Sequence, residues 1–390
     1  MLPDATHLQQ IRQELPATRK QIYLNTGTFG PLPTFVMQVM QERIRTEWDD
    51  GRLGTQAFHD IADIYAQARM NTAKLINADL AEIALTESTG EGMNIVYSGF
   101  NWQAGDEVIT TNHEHISMLL PLHQLSTRFG IIVRTADLGP RADRSVCEAI
   151  DALITEHTRL IALSHITWTT GTCLNVHAVT QLAHERHIPV LIDGAQSAGA
   201  IPIDVKALDV DFYALPMQKW LCGPDGTGAL YVRQQSLHFV IPTFVGYWSV
   251  KDEESLEWVL HEHTQRFESG GRQTAALAGQ GAALHWLEHT VGHSWLFENI
   301  KYLHTYAYVR LQQIPHLTVL TPEPGASGLL TFTLKNESEV DVVNQLRQQH
   351  LIQIRSIGNK KTLRLSTGFY NTEEEINSLA EALAELLKGS

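Results

Sequence analysis

Between about residue 80 and residue 235, short β-rich runs alternate with stretches of helical length. The runs are Glu82–Thr86, Glu107–Thr111, Ile131–Arg134, Arg159–Leu163, Ile188–Ile192, Phe212–Leu215 and Gly228–Val232. Most are apolar on both faces, as strands sandwiched between two helix layers must be. Between them, the stretch from Val176 to His187 places Val176, Val179, Leu182 and Ala183 at helical spacing. Strand–helix alternation of this kind predicts a parallel α/β sheet.

The C-terminal part has a different rhythm. A helical pattern from about Ser294 to Gln313 leads to strands near Leu317–Leu320 and Gly328–Leu334. A helix from Glu339 to about Gln349 and short strands Leu351–Arg355 and Thr362–Leu365 follow. The closing helix opens on Thr372-Glu373-Glu374-Glu375, a capping box with acidic residues at the positive helix end. This reads as a smaller α+β unit, and the segment before about Lys20 is expected to pack against it. The predicted division is a large domain over 20–285 and a small one made of 1–19 and 286–390.

Size and charge narrow the function. The chain has 390 residues, and at about 150 residues per domain that suggests two to three domains. Acidic residues (43) outnumber Lys plus Arg (29), for a net charge of −14. Nucleic acid and anionic membrane both require a dense basic face, so neither is expected as a partner. No apolar stretch approaches the roughly 18 residues that would span a bilayer. Met1–His7 shows neither a cationic start nor an apolar core, so no secretory signal is expected there. Cys147, Cys173 and Cys222 are too few and too scattered for a disulfide framework. A cytoplasmic protein is the expectation.

Open α/β sheets bind ligands at the carboxyl ends of their strands, and four loops carry candidate chemistry there. Asp193, in Asp193-Gly194-Ala195-Gln196, ends an apolar run, where a carboxylate is costly unless paired. A protonated pyridine nitrogen would pair it, with the Gln196 amide turned to the same ring; capping of the next helix is an equal alternative. Lys219 stands among Met217, Trp220 and Leu221, a setting that lowers an amine pKa as imine-forming lysines require. A snorkelling surface lysine is the alternative. Ser88-Thr89-Gly90-Glu91-Gly92 puts small residues at a helix start, where backbone N–H groups suit a phosphate or merely cap the helix. His113-Glu114-His115 reads either as a metal grip lacking a third ligand or as a ring, His115, lying over an aromatic cofactor. His261-Glu262-His263 repeats the spacing without context and reads as surface. In chain order, phosphate loop, stacking His, Asp-x-x-Gln and Lys form the layout of a pyridoxal-phosphate enzyme.

At these residues the sequence resembles the cysteine-desulfurase-like group of the aminotransferase class V, fold-type I pyridoxal-phosphate enzymes. The resemblance runs from Tyr23-Leu24-Asn25-Thr26 to Tyr370-Asn371-Thr372-Glu373-Glu374 and is densest at Asp193–Gln196 and Lys219–Gly228. It implies a large domain with a mainly parallel seven-stranded sheet, a smaller α+β C-terminal domain, and pyridoxal 5'-phosphate as cofactor. It implies Lys219 as the imine-forming amine, Asp193 on the pyridine nitrogen, Gln196 on the phenolic oxygen and His115 over the ring. Thr89, Gly90 and Gln218 would hold the phosphate. Phe267-Glu268-Ser269-Gly270 looks like the loop that reaches the neighbouring subunit's phosphate, implying a homodimer, with Gly271 where a Thr is usual. Arg364 matches the substrate-carboxylate position. Thr26 and Arg355 join it as expected substrate contacts, with Trp168 where an Asn is usual.

Departures sharpen the reaction. Cysteine desulfurases of the group carry a nucleophilic Cys on a loop between two C-terminal strands; here Arg355–Arg364 is short and contains none. Cys222 is the one thiol near Lys219 in sequence, and a small buried residue is its favoured reading. Pro216 and Gln218 replace a Ser and a His near the phosphate. Without the thiol, the resemblance implies a C–S β-lyase like the group's cystine lyases. Such an enzyme turns cystine or cysteine into pyruvate, ammonia and a persulfide or sulfide, the sulfur passing to an acceptor protein for iron–sulfur cluster assembly. A cysteine desulfurase or an amino-acid epimerase of the same fold is the nearest rival. A non-catalytic binding protein and a His113/His115 metalloenzyme are the rivals of other classes.

Overall fold

The computed structural model describes residues 5–252, 254–255 and 257–388; of the Met1–His7 stretch in which no secretory signal is expected, Met1–Asp4 lie outside them. In chain order the first strands are β1 (Ile22–Tyr23), β2 (Ile83–Thr86), β3 (Glu107–Thr111), β4 (Ile132–Ala136) and β5 (Thr158–Ser164). Next come β6 (Val190–Asp193), β7 (Phe212–Pro216) and β8 (Gly228–Val232). β2 to β8 form a seven-stranded sheet in the order β2-β8-β7-β6-β5-β3-β4. β3 to β7 pair in parallel, and β8 alone runs antiparallel to its neighbours β7 and β2. The reversal has a local cause. The connection 217–227 contains no helix, so the chain returns beside β7 instead of crossing over the sheet.

The double-sided strand pattern divides two cores. Ile161 and Leu163 of β5, Val190 and Ile192 of β6, and Tyr213 and Leu215 of β7 face one, closed by Val176, Val179 and Ala183 of helix Val176–His184. Their alternates Leu160, Ala162, Leu191, Phe212 and Ala214 face the other, beneath Met93 and Val96 of helix Thr89–Gly99 and Met118 and Leu122 of helix Ile116–Phe129. Side chains of period two buried on both faces are what the apolar runs demanded. β4 is one of the two edge strands, opposite β2, and exposes Ile132.

The C-terminal part contributes β9 (Leu317–Val319), β10 (Leu329–Leu334), β11 (Ile352–Gln353), β12 (Arg355–Ile357) and β13 (Thr362–Ser366). β12-β13-β10-β9 make an antiparallel sheet covered by helices His293–Gln312, Glu339–His350 and Glu373–Lys388. The capping box forms: Glu375 N–H donates to Thr372 Oγ1 and Thr372 N–H to Glu375 Oε2, both at 3.2 Å. The single strand expected over Leu351–Arg355 is instead two. β11 pairs in parallel with β1, and β12 enters the other sheet. This stitches the N-terminal segment to the C-terminal unit, and a bridge from Asn25 to Ser366 brings Gly27–Phe29 over the ends of the large sheet. Helix Ala5–Gln13 spans both parts. Its Arg12 donates to Tyr370 O (2.7 Å) and pairs with Glu375, while Ile11 enters the core under the large sheet.

Candidate active site

The carboxyl ends of the central strands, the Gly27–Phe29 segment and the β12–β13 pair enclose a cavity of about 270 Å³. A larger open groove of about 790 Å³ runs beside Arg12, Tyr302 and Glu373, with no Lys, Cys, Ser or His among the described residues in its wall. The smaller cavity holds the chemistry.

Asp193 ends β6, and its Oδ1 accepts from Ala195 N–H (2.8 Å). Burial raises its carboxyl above the usual range, and the Lys219 ammonium pulls the other way. The backbone turns away immediately at Gly194, where a Cβ would lie 2.2 Å from the Tyr213 ring. Lys219 comes from the β7–β8 loop. The loop is fixed by bonds from Gly30 N–H to Gln218 O (2.8 Å), Met217 N–H to Thr227 O (3.2 Å) and Gly223 N–H to Met217 O (2.8 Å). Desolvation lowers the Lys219 amine to about 8; Asp193 opposes the shift, and Arg364 and Arg355 add to it. The amine is therefore largely neutral a little above pH 8, which a nucleophile or base requires.

His115 caps helix Ile116–Phe129, its Nδ1 accepting from Ser117 N–H at 3.2 Å. Its ring meets Trp168 edge-on at 5.1 Å. Burial first, then the cations Lys219, Arg355 and Arg364, lower it to about 4, so the imidazole is neutral at physiological pH. Ser88 caps helix Thr89–Gly99 by accepting from Glu91 N–H (3.1 Å), leaving the Thr89 and Gly90 N–H groups ahead of the first helical hydrogen bond. Arg272 pairs with Glu91 (3.1 Å) and Glu87 (3.6 Å), cancelling acidic charge where an anion would dock.

At the far wall, β12 and β13 place Arg355 opposite Arg364. Arg364 is fully buried, and donates to Trp168 O (2.8 Å) and Thr28 Oγ1 (3.4 Å). Arg355 shares that Thr28 hydroxyl (3.4 Å) and lies over the Trp168 ring at 5.9 Å. Burial and then Arg355 push Arg364 down to about 9. Among the described residues neither arginine has a carboxylate partner within 4.0 Å. Two desolvated cations of like sign need an anionic ligand.

The cavity thus gathers Lys219, Asp193, Gln196, His115, Thr89, Gly90, Gln218, Arg355, Arg364 and Trp168. Thr26 stands behind the wall, buried, with its hydroxyl 3.5 Å from Lys219 O. Gly271 lies away from it, donating to Tyr247 Oη (2.7 Å). Thr28 went unread in the sequence, because only the fold brings it to both arginines. His113, the first histidine of the His113-Glu114-His115 motif, is tied into the fold. Both ring nitrogens of buried His113 are engaged, by Thr169 Oγ1 and Gly139 O at 2.6 Å each, and no group of three metal-ligating side chains gathers among the described residues. Glu114 between the two histidines is buried, pushed up to about 7 by desolvation, and accepts from Ser164 N–H (3.0 Å) and Thr111 Oγ1 (2.6 Å). Cys222 is fully buried with its thiol pushed far up by desolvation, and none of the three cysteines lines the cavity.

Residues 22–379 match the aminotransferase class-V family model. The chain belongs to that family. A probable cysteine desulfurase of Methanothermobacter thermautotrophicus is 30% identical over 395 residues, covering 97% of this chain and 98% of that protein. Among solved structures, the cystine C–S lyase C-DES in complex with its reaction product cysteine persulfide superposes with a TM-score of 0.90. It is 29% identical, over 95% of this chain and 99% of that one. A C-DES mutant with glycine covalently linked to its pyridoxal-phosphate cofactor gives a TM-score of 0.91 at 29% identity, over 96% of this chain and 99% of that one. The family fold is therefore the expected one, an α/β large domain with a mainly parallel sheet.

Proposed function

We propose that the protein is a pyridoxal-phosphate-dependent carbon–sulfur β-lyase acting on L-cystine or L-cysteine. One observation carries this reading: a desolvated lysine, a buried aspartate and two unpaired arginines converge on one cavity that no thiol lines. The residues fit the cofactor. Asp193 supplies the buried carboxylate that a protonated ring nitrogen satisfies. The neutral His115 ring can lie against an aromatic face. Thr89 and Gly90 N–H groups suit a phosphate. Gln218 Oε1 is buried without a partner among the described residues, so this amide is free to turn its N–H₂ toward that anion. When bound, pyridoxal phosphate supplies an electrophilic carbonyl and a ring that accepts the electron pair released at the substrate Cα.

The protein's own groups do the rest. Lys219, with its lowered amine pKa, takes the Cα proton. Arg364 and Arg355 hold carboxylates, and cystine carries one at each end. With no thiol in the cavity, sulfur departs with its electron pair to solvent or an acceptor rather than to the protein. L-cystine and water then give pyruvate, ammonia and cysteine persulfide. A desulfurase requires a thiol that the site lacks, and an epimerase requires a second proton donor opposite Lys219.

The Gly271 loop and the nearby exposed Phe244, Val245 and Tyr247 favour a homodimer. A cytoplasmic setting and a sulfur-acceptor protein serving iron–sulfur cluster assembly complete the proposal; no helix among the described residues is long and apolar enough to cross a membrane. The test is product identification with cofactor-loaded protein and L-cystine or L-cysteine. Pyruvate, ammonia and sulfane sulfur are expected from cystine, whereas alanine would overturn the lyase reading in favour of a desulfurase.

A further inference from the structure

Gln196 is held at both ends of its side-chain amide. Nε2 donates to Gly27 O (2.9 Å), and Oε1 accepts from the indole Nε1 of Trp220 (3.0 Å). A carbonyl oxygen only accepts and an indole N–H only donates, so the two partners fix which way round the amide sits. Turned over, it would set two acceptors against each other at Gly27 and two donors at Trp220. Gln218, with its orphaned oxygen, shows the opposite condition in the same cavity.

The indole cannot swing away. Trp220 is 1% exposed and fills a slot cut by two glycines. A Cβ at Gly328 would meet the indole edge at 2.4 Å, and one at Gly199, whose φ is +86°, would meet Trp220 Cβ at 3.0 Å. Trp220 also follows Lys219 directly in the chain, so the loop that places the amine places this donor.

We infer that Trp220 is a positioning residue. Its indole N–H locks the Gln196 amide so that the remaining Nε2 hydrogen, and not an oxygen, is offered to the cofactor's phenolic oxygen. The inference rests on the pyridoxal-phosphate reading. A donor at that oxygen favours its ionised form; an acceptor would favour the protonated one.

The experiment is a double-mutant cycle with Trp220→Phe, which keeps an aromatic ring in the slot, and Gln196→Leu. It is read in two ways: the dissociation constant for pyridoxal phosphate and the pH midpoint of the bound cofactor's visible absorption band. Trp220→Phe should weaken cofactor binding roughly three- to tenfold, the scale of one buried hydrogen bond, and move the midpoint to higher pH. In the Gln196→Leu background it should do neither. Additive effects would mean that Trp220 acts by packing alone and would overturn the inference while leaving the cofactor reading intact. A wild-type protein that develops no visible band with pyridoxal phosphate overturns both. Should Trp220→Phe not fold, replacing the Trp220 indole by its benzothiophene analogue keeps the shape of the ring and removes only the N–H. It must raise the midpoint; an unmoved midpoint overturns the inference.

Discussion

The two ends of the central sheet treat buried charge in opposite ways. At the amino ends, Glu107 takes Arg134 (2.5 Å) and the Thr155 hydroxyl (2.7 Å), and these bonds hold its carboxyl below the usual range. Asp211, just before β7, accepts from Val190 N–H (2.8 Å), Ser236 Oγ (2.5 Å) and His184 Nε2 (2.9 Å). At the carboxyl ends, Asp193 is pushed up by burial, Lys219 down, and Arg355 and Arg364 share one hydroxyl instead of an acid. Charges that are paired within the chain stabilise it, whereas charges left for a ligand destabilise the empty protein and reward binding. A buried carboxylate is therefore not informative by itself; its partners are.

The largest effect that tests this contrast is at Lys219. Lys219→Ala should lower turnover by roughly 10²–10⁴-fold or more while the circular dichroism spectrum stays unchanged. In the unmodified protein, capture of pyridoxal phosphate by the empty site should accelerate as pH rises through about 8, because only the neutral amine attacks. Substantial turnover by the alanine variant would end the assignment.

Next come the two aspartates. Asp211→Ala should cost about 2–4 kcal/mol in urea unfolding, since it strands the partners of a satisfied carboxylate, yet spare activity per folded molecule. Asp193→Ala should abolish activity and change stability by no more than about 1 kcal/mol. The reverse pattern would erase the distinction between the sheet ends.

Arg364→Ala should raise KM for the amino-acid substrate roughly tenfold to a hundredfold, the scale of a lost charged hydrogen bond, with little change in cofactor affinity. Equal losses in both would take Arg364 out of carboxylate binding.

The smallest effect belongs to His184, raised above the usual imidazole range chiefly by its bond to Asp211. A raised folded-state pKa gives stability that is complete below about pH 6.5 and lost as pH climbs through the raised value. The unfolding free energy should fall by up to about 1 kcal/mol across that window, and His184→Gln should flatten the slope.

Much of the large sheet was legible because β5, β6 and β7 are apolar on both faces, a pattern that no surface strand tolerates. Asp193 and Lys219 stood out because each sat where its charge was expensive. Tertiary effects hid the rest. The split of Leu351–Arg355 at Ile354 depends on β1 arriving from the other end of the chain. Thr28 and Gly27 have no local pattern and gain meaning only through that pairing. His261 and His263, which read as surface, are half-buried and stack on each other, and Glu114 lies in a motif whose histidines alone attract notice in the sequence. Trp220 looked like hydrophobic lining for Lys219, and its indole N–H mattered only once Gln196 was placed.

The antiparallel return of β8 also orders the site in time. The loop carrying Lys219 joins two neighbouring strands and closes over short sequence distances, while Arg355 and Arg364 reach the cavity only after the C-terminal sheet forms. Local closures are fast, and a growing chain folds from its N-terminal part. The lysine, the aspartate strand and the phosphate-type helix start all precede residue 235. During synthesis, the half of the cavity that carries the lysine, the aspartate and the helix start leaves the ribosome before the half that carries the two arginines has been made.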